Sequence, residues 1–331
     1  MGLEFAGRAF ANAACTAAVV AFGISIVSSS ATSAGEWIEG APMPTARSEI
    51  AAATLDGKIY VGGSLLRDHA TAAFEVYDTE ADRWGTLNSL PLDLHHLGMA
   101  VLGGKVYIAG GFTDFSFTPN VRGLWVYAPV TDTWERLASM PLPRAAHKIV
   151  ALNRLLFVVG GVGPQSQKLM AYVPRSNVWN SLLAPLPTPR EHLAAAILDS
   201  KLYAIVGRWS GIRNLRTAEG YDPLRGSWSR LLDLPTPRSG LTAAGLRGRI
   251  YVAGKEVLGT AHTFGALEIL TVRTNQWKFG LKIPTARHGL ASAVFGCRIA
   301  FIGGATSAGR QTFTTLSRVV GIFEGACGDS I

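Results

Sequence analysis

The stretch Leu186-Pro-Thr-Pro-Arg-Glu-His-Leu-Ala-Ala-Ala-Ile-Leu-Asp-Ser-Lys-Leu-Tyr-Ala-Ile-Val-Gly207 decides the architecture. It opens on a Pro turn and runs through an apolar strand to Leu198. It turns tightly at Asp199-Ser200 and returns in a second strand that ends on glycine. A third strand is expected to reach Tyr221-Asp222, and a fourth carries Trp228 before the next Pro turn. Such a run of short strands and turns has no helical period.

Working outward, the same unit recurs to the end of the chain. Tryptophans stand at Trp37, Trp84, Trp134, Trp179, Trp228 and Trp277, with spacings of 47, 50, 45, 49 and 49 residues. Strand-ending glycines fall at Gly63, Gly111, Gly161, Gly207, Gly254 and Gly304. Arginines follow the Pro turn at Arg47, Arg144, Arg190, Arg238 and Arg287, with Leu94 in the second unit. Tyr77, Tyr127, Tyr172 and Tyr221 each precede a tryptophan by seven residues, and Leu270 takes that place before Trp277.

The glycine pairs, the Tyr, the Trp and the period of about 50 residues resemble kelch repeats. The resemblance covers about Trp37 to Phe323. It implies an all-β, six-bladed propeller whose blades are four-stranded sheets around a central channel. The last unit, Ile283 to Phe323, has three strands and no terminal tryptophan. The N-terminal strand at Glu36-Trp37-Ile38 is therefore expected to complete blade six and close the ring, which removes exposed edges. Residues 35–331 read as one domain.

The chain has 331 residues, 48% of them hydrophobic and 16% charged, against roughly 25% charged in typical soluble domains. The net charge of +8 favours anionic partners in general. The Lys and Arg residues form no run, however, and no nucleic-acid-binding signature is present, so no nucleic-acid partner is expected. Residues 1–34 read as a signal peptide: Arg8 is followed by an uncharged stretch from Ala9 to Val27 and by small residues suited to cleavage near Ala34. The expected location is periplasmic or secreted, with membrane attachment only if the segment stays as an anchor. Cleavage would leave two cysteines, Cys297 and Cys327, open either to a disulfide or to life as free thiols.

Kelch resemblance places binding on the face built by the loops around the Pro turn and those after the glycine pair. The residues following the turn are Ser48, His95, Ala145, Glu191, Ser239 and His288, and the next along are Glu49, His96, Ala146, His192, Gly240 and Gly289. Because successive strand residues point to opposite sides, only one of His95 and His96 is expected to face the pocket. Arg47, Arg144, Arg190, Arg238 and Arg287 form a five-member ring, readable as an anion funnel or as a fixture of each blade. Recurrence in five blades favours the fixture. Departures from the repeat add Arg208 and Lys255 at the expected lip, with Phe112 and Trp209 as loop aromatics. The ligand-binding set is thus these arginines with Arg208, Lys255, Ser48, Ser239, His96, His192, Phe112 and Trp209.

The expected function is binding of a protein or carbohydrate ligand, with an anionic ligand as one option. The alternative is a small sugar-modifying enzyme, since six-bladed periplasmic kelch proteins include the sialate epimerases, which this chain resembles in size, signal and blade number. Glu191, His95 and His288 are then the candidate catalytic groups. A structural propeller of the cell envelope is a third option. No metal or other cofactor is expected: adjacent His95-His96 cannot easily share one ion, and no spacing matches a zinc or calcium pattern.

Overall fold

A computed structural model describes residues 1–2, 35–118, 120–209, 213–257, 260–309 and 314–325. Six four-stranded antiparallel sheets follow one another around a ring, as the repeat implies. Blade 1 consists of Ala51–Leu55, Lys58–Gly62, Phe74–Asp78 and Arg83–Thr86. Blade 2 spans Gly98–Leu102 to Thr133–Leu137, blade 3 Lys148–Leu152 to Val178–Asn180, blade 4 Ala194–Leu198 to Ser227–Arg230, and blade 5 Thr242–Leu246 to Gln276–Phe279. Blade 6 takes three strands from Ala291–Phe295, Arg298–Ile302 and Val320–Phe323, and its outer strand from the other end of the chain, Trp37–Gly40. Trp37 pairs with Phe323 and Gly40 with Val320, so the closure expected from the missing tryptophan is present. Residues 3–34 and Cys327 lie outside the described residues, and with them most of the expected signal segment.

The blades alternate small inner-strand and large second-strand residues, and six apolar clusters fill the six spaces between neighbouring sheets. Each marker of the repeat has a mechanical task. The Tyr pairs directly with the Trp across the outer two strands, as Tyr77 with Trp84 and Tyr221 with Trp228. The indole N–H of each of the six marker tryptophans then donates to a carbonyl leaving the preceding blade. Trp84 reaches Ala41 at 2.8 Å, Trp179 reaches Ala138 at 2.8 Å, and Trp37 reaches Leu281 at 3.3 Å.

A second closed ring lies at the axis. The backbone N–H of Glu49 donates to Gly289 (2.8 Å), Gly289 to Gly240 (2.9 Å) and Gly240 to His192 (3.3 Å). His192 donates to Ala146 (3.0 Å), Ala146 to His96 (2.9 Å), and His96 back to Glu49 (3.2 Å). All six residues are left-handed, with φ between 48° and 63°. One residue from each blade thus turns its strand inward and hands it to the next blade.

The five turn arginines are 0–1% exposed and point into their own blades. Arg47 donates to the carbonyls of Ala73 (2.8 Å) and Gly63 (3.3 Å) and to the Glu75 carboxylate (2.7 Å). Arg190 and Arg238 do the same with Glu219 and Glu268. Arg144 binds the carbonyls of Pro164 and Gln165, and Arg287 those of Gly303 and Val319. Burial lowers the Arg144 and Arg287 pKa values to about 10, which leaves both charged at neutral pH. Blade 2 omits the pair altogether: Leu94 and Trp125 pack in one apolar cluster where blades 1, 4 and 5 hold arginine and glutamate.

Two outcomes test this reading. Arg238→Leu leaves Glu268, which is fully buried, without its cation and should cost about 3–5 kcal/mol, while Arg238→Leu with Glu268→Leu should recover at least half, as blade 2 does by itself. Chemical denaturation measures both. In the axial ring, a Cβ at Gly289 would stand 2.2 Å from Ser48 Oγ, whereas one at Gly240 meets the movable end of Glu256 at 3.2 Å. Gly289→Ala should therefore lower the melting temperature more than Gly240→Ala, although both carry the left-handed penalty of about 1–2 kcal/mol.

Candidate functional site at the propeller axis

Immediately before each ring residue, the chain forms a single antiparallel bridge with the residue after the glycine pair. The bridges are Ser48 to Leu65, His95 to Phe112, Ala145 to Val162, Glu191 to Arg208, Ser239 to Glu256, and His288 to Ala305. This register corrects one expectation. Arg208 and Glu256, not Arg208 and Lys255, are equivalent on adjacent blades, because Ser64 and Lys255 take the place of the second glycine in blades 1 and 5. Lys255 instead lies 4.6 Å above the Phe264 ring.

The ring and the bridges together set a polar floor. Glu191 carries the centre of it: one carboxylate oxygen accepts from Arg208 Nε at 2.7 Å and the other from His192 Nδ1. Arg208 Nη1 also reaches Glu256, which accepts from Ser239 Oγ at 3.1 Å. His288 Nδ1 lies 3.6 Å from Glu49 and 3.8 Å from Glu256, while its Nε2 faces the Ser307 carbonyl at 3.1 Å. On the far side, Glu49 is 3.2 Å from His96 Nε2, and His96 Nδ1 is 2.5 Å from His95 Nδ1. The His96 and His192 rings meet edge to face at 4.8 Å, above Ala146. Five blades thus supply charged or imidazole groups to one connected circuit; blade 3 supplies methyl groups.

Of the sequence-selected residues, Glu191, His95, His288, His96, His192, Arg208, Ser48 and Ser239 are brought to this floor. His96 faces the axis and His95 turns into the blade 2 loop, where Phe112 and Phe117 enclose it at 5.4 and 5.2 Å. The five turn arginines are not brought there. Their guanidiniums are spent inside the blades, so an anion funnel built on Arg47, Arg144, Arg190, Arg238 and Arg287 has no exposed donor. Trp209, 47% exposed, stands on the rim. Glu49 and Glu256 were not selected from sequence; the bridge register, aligned blade by blade, is the signal that finds Glu256.

Burial lowers the pKa of His95, and lowers those of His96 and His192 well below the ordinary histidine value, with neighbouring cations, Arg208 among them, adding to the effect. These imidazoles are neutral at pH 7. Below the ring, a cavity of about 30 Å³ is lined by Glu49, His96, His192, His147 and Lys148 among others. A second of about 80 Å³ continues along the inner strands past Lys148 and Thr242. Among the described residues, one ligand atom each of Glu49, His96 and His192 lies within 4.8 Å of the other two. Cys297 is disulfide-bonded, and no helix among the described residues is long and apolar enough to cross a membrane.

These features define a six-bladed propeller with a charged floor at one mouth of its channel. Comparison with known proteins agrees: the Kelch motif family matches residues 94–141, which is blade 2 with its entering turn. Kelch-like protein terF of Aspergillus terreus is 28% identical over 308 residues, covering 86% of this chain and 66% of the fungal protein. Kelch-like protein 36 of Bos taurus is 24% identical over 276 residues, 78% of this chain and 44% of its own length. This chain therefore spans less than two thirds of either relative. The solved structure of YjhT superposes with a TM-score of 0.71 at 16% identity, over 85% of this chain and 96% of that one, which speaks for the fold. The chain is thus a propeller that carries a Kelch motif in blade 2 and is similar to kelch-like proteins along most of its length.

His147 offers a separate test of the burial argument. It occupies the position of Ile50, Leu97, Leu193, Leu241 and Leu290, is 1% exposed, and neither ring nitrogen has a hydrogen-bond partner among the described residues. Burial pushes its pKa down to about 3. The folded state therefore resists a proton that the unfolded chain accepts below about pH 6.5, and stability is lost as pH falls from there toward 3. His147→Leu should stabilise the protein, and by about 2 kcal/mol more at pH 5 than at pH 8. Parallel urea titrations at the two pH values read the difference; equal gains would show that His147 is not held neutral.

Proposed function

We propose that the protein is a binding propeller that takes a protein partner on the face carrying the axial floor. The observation that carries this reading is the rim. Phe115, Phe117, Trp209 and Phe264 come from the long loops of blades 2, 4 and 5 and are 38–47% exposed around one mouth. Large aromatics presented beside polar groups are the usual anchors of protein interfaces. An acid-specific carbohydrate reading would need the turn arginines, and their burial removes its support. A sugar-modifying activity at the same floor is the second reading, favoured by the paired carboxylates and imidazoles of Glu191 with His192 and Glu49 with His96. We place the site of action outside the reducing cytosol, in the periplasm or secreted. The disulfide at Cys297 and the uncharged stretch Ala9 to Val27 support that placement.

A photo-crosslinking amino acid at position 209 should capture a discrete partner in the native organism's envelope or secreted fraction, while one at Leu224, on the opposite face, should not. Trp209→Ser should weaken the captured complex by about 2 kcal/mol without changing the melting temperature. Equal capture from both positions would remove the loop face as the binding surface.

A further inference from the structure

Proton accounting along the floor leaves three acceptors facing one another. His95 Nε2 lies 2.9 Å from the Asp114 carbonyl, which can only accept, so that nitrogen carries the proton. In a neutral ring Nδ1 of His95 is then an acceptor, and His96 Nδ1, 2.5 Å away, must be the donor. With the His96 ring neutral as well, its Nε2 keeps a lone pair, 3.2 Å from the Glu49 carboxylate. The opposite assignment would put a full charge on His95, whose side chain is wholly buried between Phe112 and Phe117.

The same count fixes His192. Its Nδ1 faces a carboxylate oxygen of Glu191 and therefore donates, leaving the lone pair on Nε2. Arg208 Nη2 does not cover that lone pair. It is 3.2 Å from Nδ1 and 3.1 Å from Nε2, and an atom equidistant from both ring nitrogens lies along the lone pair of neither.

Two imidazole lone pairs and a carboxylate thus converge without a proton between them. Their repulsion is relieved by a Lewis acid, and two histidines with one carboxylate suit a borderline divalent ion. The backbone points the same way. Glu49, His96 and His192 stand at φ 55°, 55° and 48°, in a ring where two blades use glycine. Side chains kept at strained positions mark function. The accompanying hydrogen bonds are those that orient metal-bound histidines: Glu191 holds the far nitrogen of His192 and His95 that of His96. Ligands of a tetrahedral ion at about 2.0–2.1 Å stand about 3.4 Å apart, so the widest gap of 4.8 Å closes with side-chain rotation.

We propose that Glu49, His96 and His192 bind one divalent transition-metal ion of the zinc class on the propeller axis, with Glu191 and His95 positioning the two histidines. The ion keeps an open coordination position toward the loop face, where an oxygen or nitrogen of a bound partner can complete it. This goes beyond the rim-based reading and does not depend on it.

The test uses the full chain stripped with a chelator. Calorimetric titration with Zn2+ should give one site per chain. Co2+ should bind in the same ratio with visible ligand-field bands that Zn2+ abolishes. Glu49→Gln and His96→Asn should weaken Zn2+ binding by more than tenfold each; asparagine tolerates the left-handed backbone, so the second variant keeps the ring. Glu191→Gln should weaken it about 10–100-fold while preserving the ratio. Substitution of the exposed His69 should change nothing. Should a ligand variant fail to fold, the wild-type titration still decides, since zinc should shift the imidazole proton resonances of two histidines. The proposal is overturned if the wild-type chain takes up no stoichiometric ion, or if Glu49→Gln and His96→Asn bind it as well as the wild type.

Discussion

Six left-handed residues, hydrogen-bonded head to tail around the axis, are the constraint on which the rest of this propeller depends. A left-handed conformation costs an ordinary residue about 1–2 kcal/mol, and four of the six are not glycine. What holds them there is cooperative. Each ring residue follows a one-residue bridge to the end of its own blade, and in five blades that bridge follows a turn arginine locked to carbonyls of the blade. The preceding blade donates onto the same turn, as Gly111 N–H of blade 2 does onto the Arg144 carbonyl at 2.8 Å. The inner ring and the outer girdle of indole bonds thereby fix each sheet at two radii, and the apolar clusters fill what lies between.

The ring also explains why the charged floor exists. Side chains at its six positions have nowhere to go but the axis, so residues far apart in the chain become neighbours. Glycine in blades 5 and 6 and alanine in blade 3 leave room; Glu49, His96 and His192 use it. The bridge positions deliver Arg208 and Glu256 beside them. A network in which every member holds its neighbour is rigid, and its groups are displaced together or not at all. That rigidity suits a site whose ligand meets prearranged partners, framed by more exposed aromatics on longer loops.

Blades deviate from the repeat in ways that packing makes intelligible. Leu94 with Trp125 replaces an ion pair by an apolar pair of similar reach. Arg144 has no carboxylate partner among the described residues, since Met170 stands where blades 1, 4 and 5 have glutamate, and loop carbonyls take its place. His147 replaces leucine with no hydrogen-bond compensation among the described residues, and nothing else in the structure explains its presence.

Blade number, strand order within a blade and the closure by Trp37 were legible in the sequence, because each depends on local pattern: strand alternation, turn residues and a marker spaced by one blade. The burial of the turn arginines was legible only as an alternative, since a repeated arginine reads the same whether it faces inward or outward. The floor was partly legible. Position after the turn picked out His96, His192 and Glu191, but aligning on glycines set Lys255 where the bridge register sets Glu256. Which side chains share a hydrogen bond, which nitrogen keeps its proton, and which three groups converge were decided by tertiary structure alone. Those relations run around the axis between blades, and distance around a closed ring leaves no trace in the spacing along the chain.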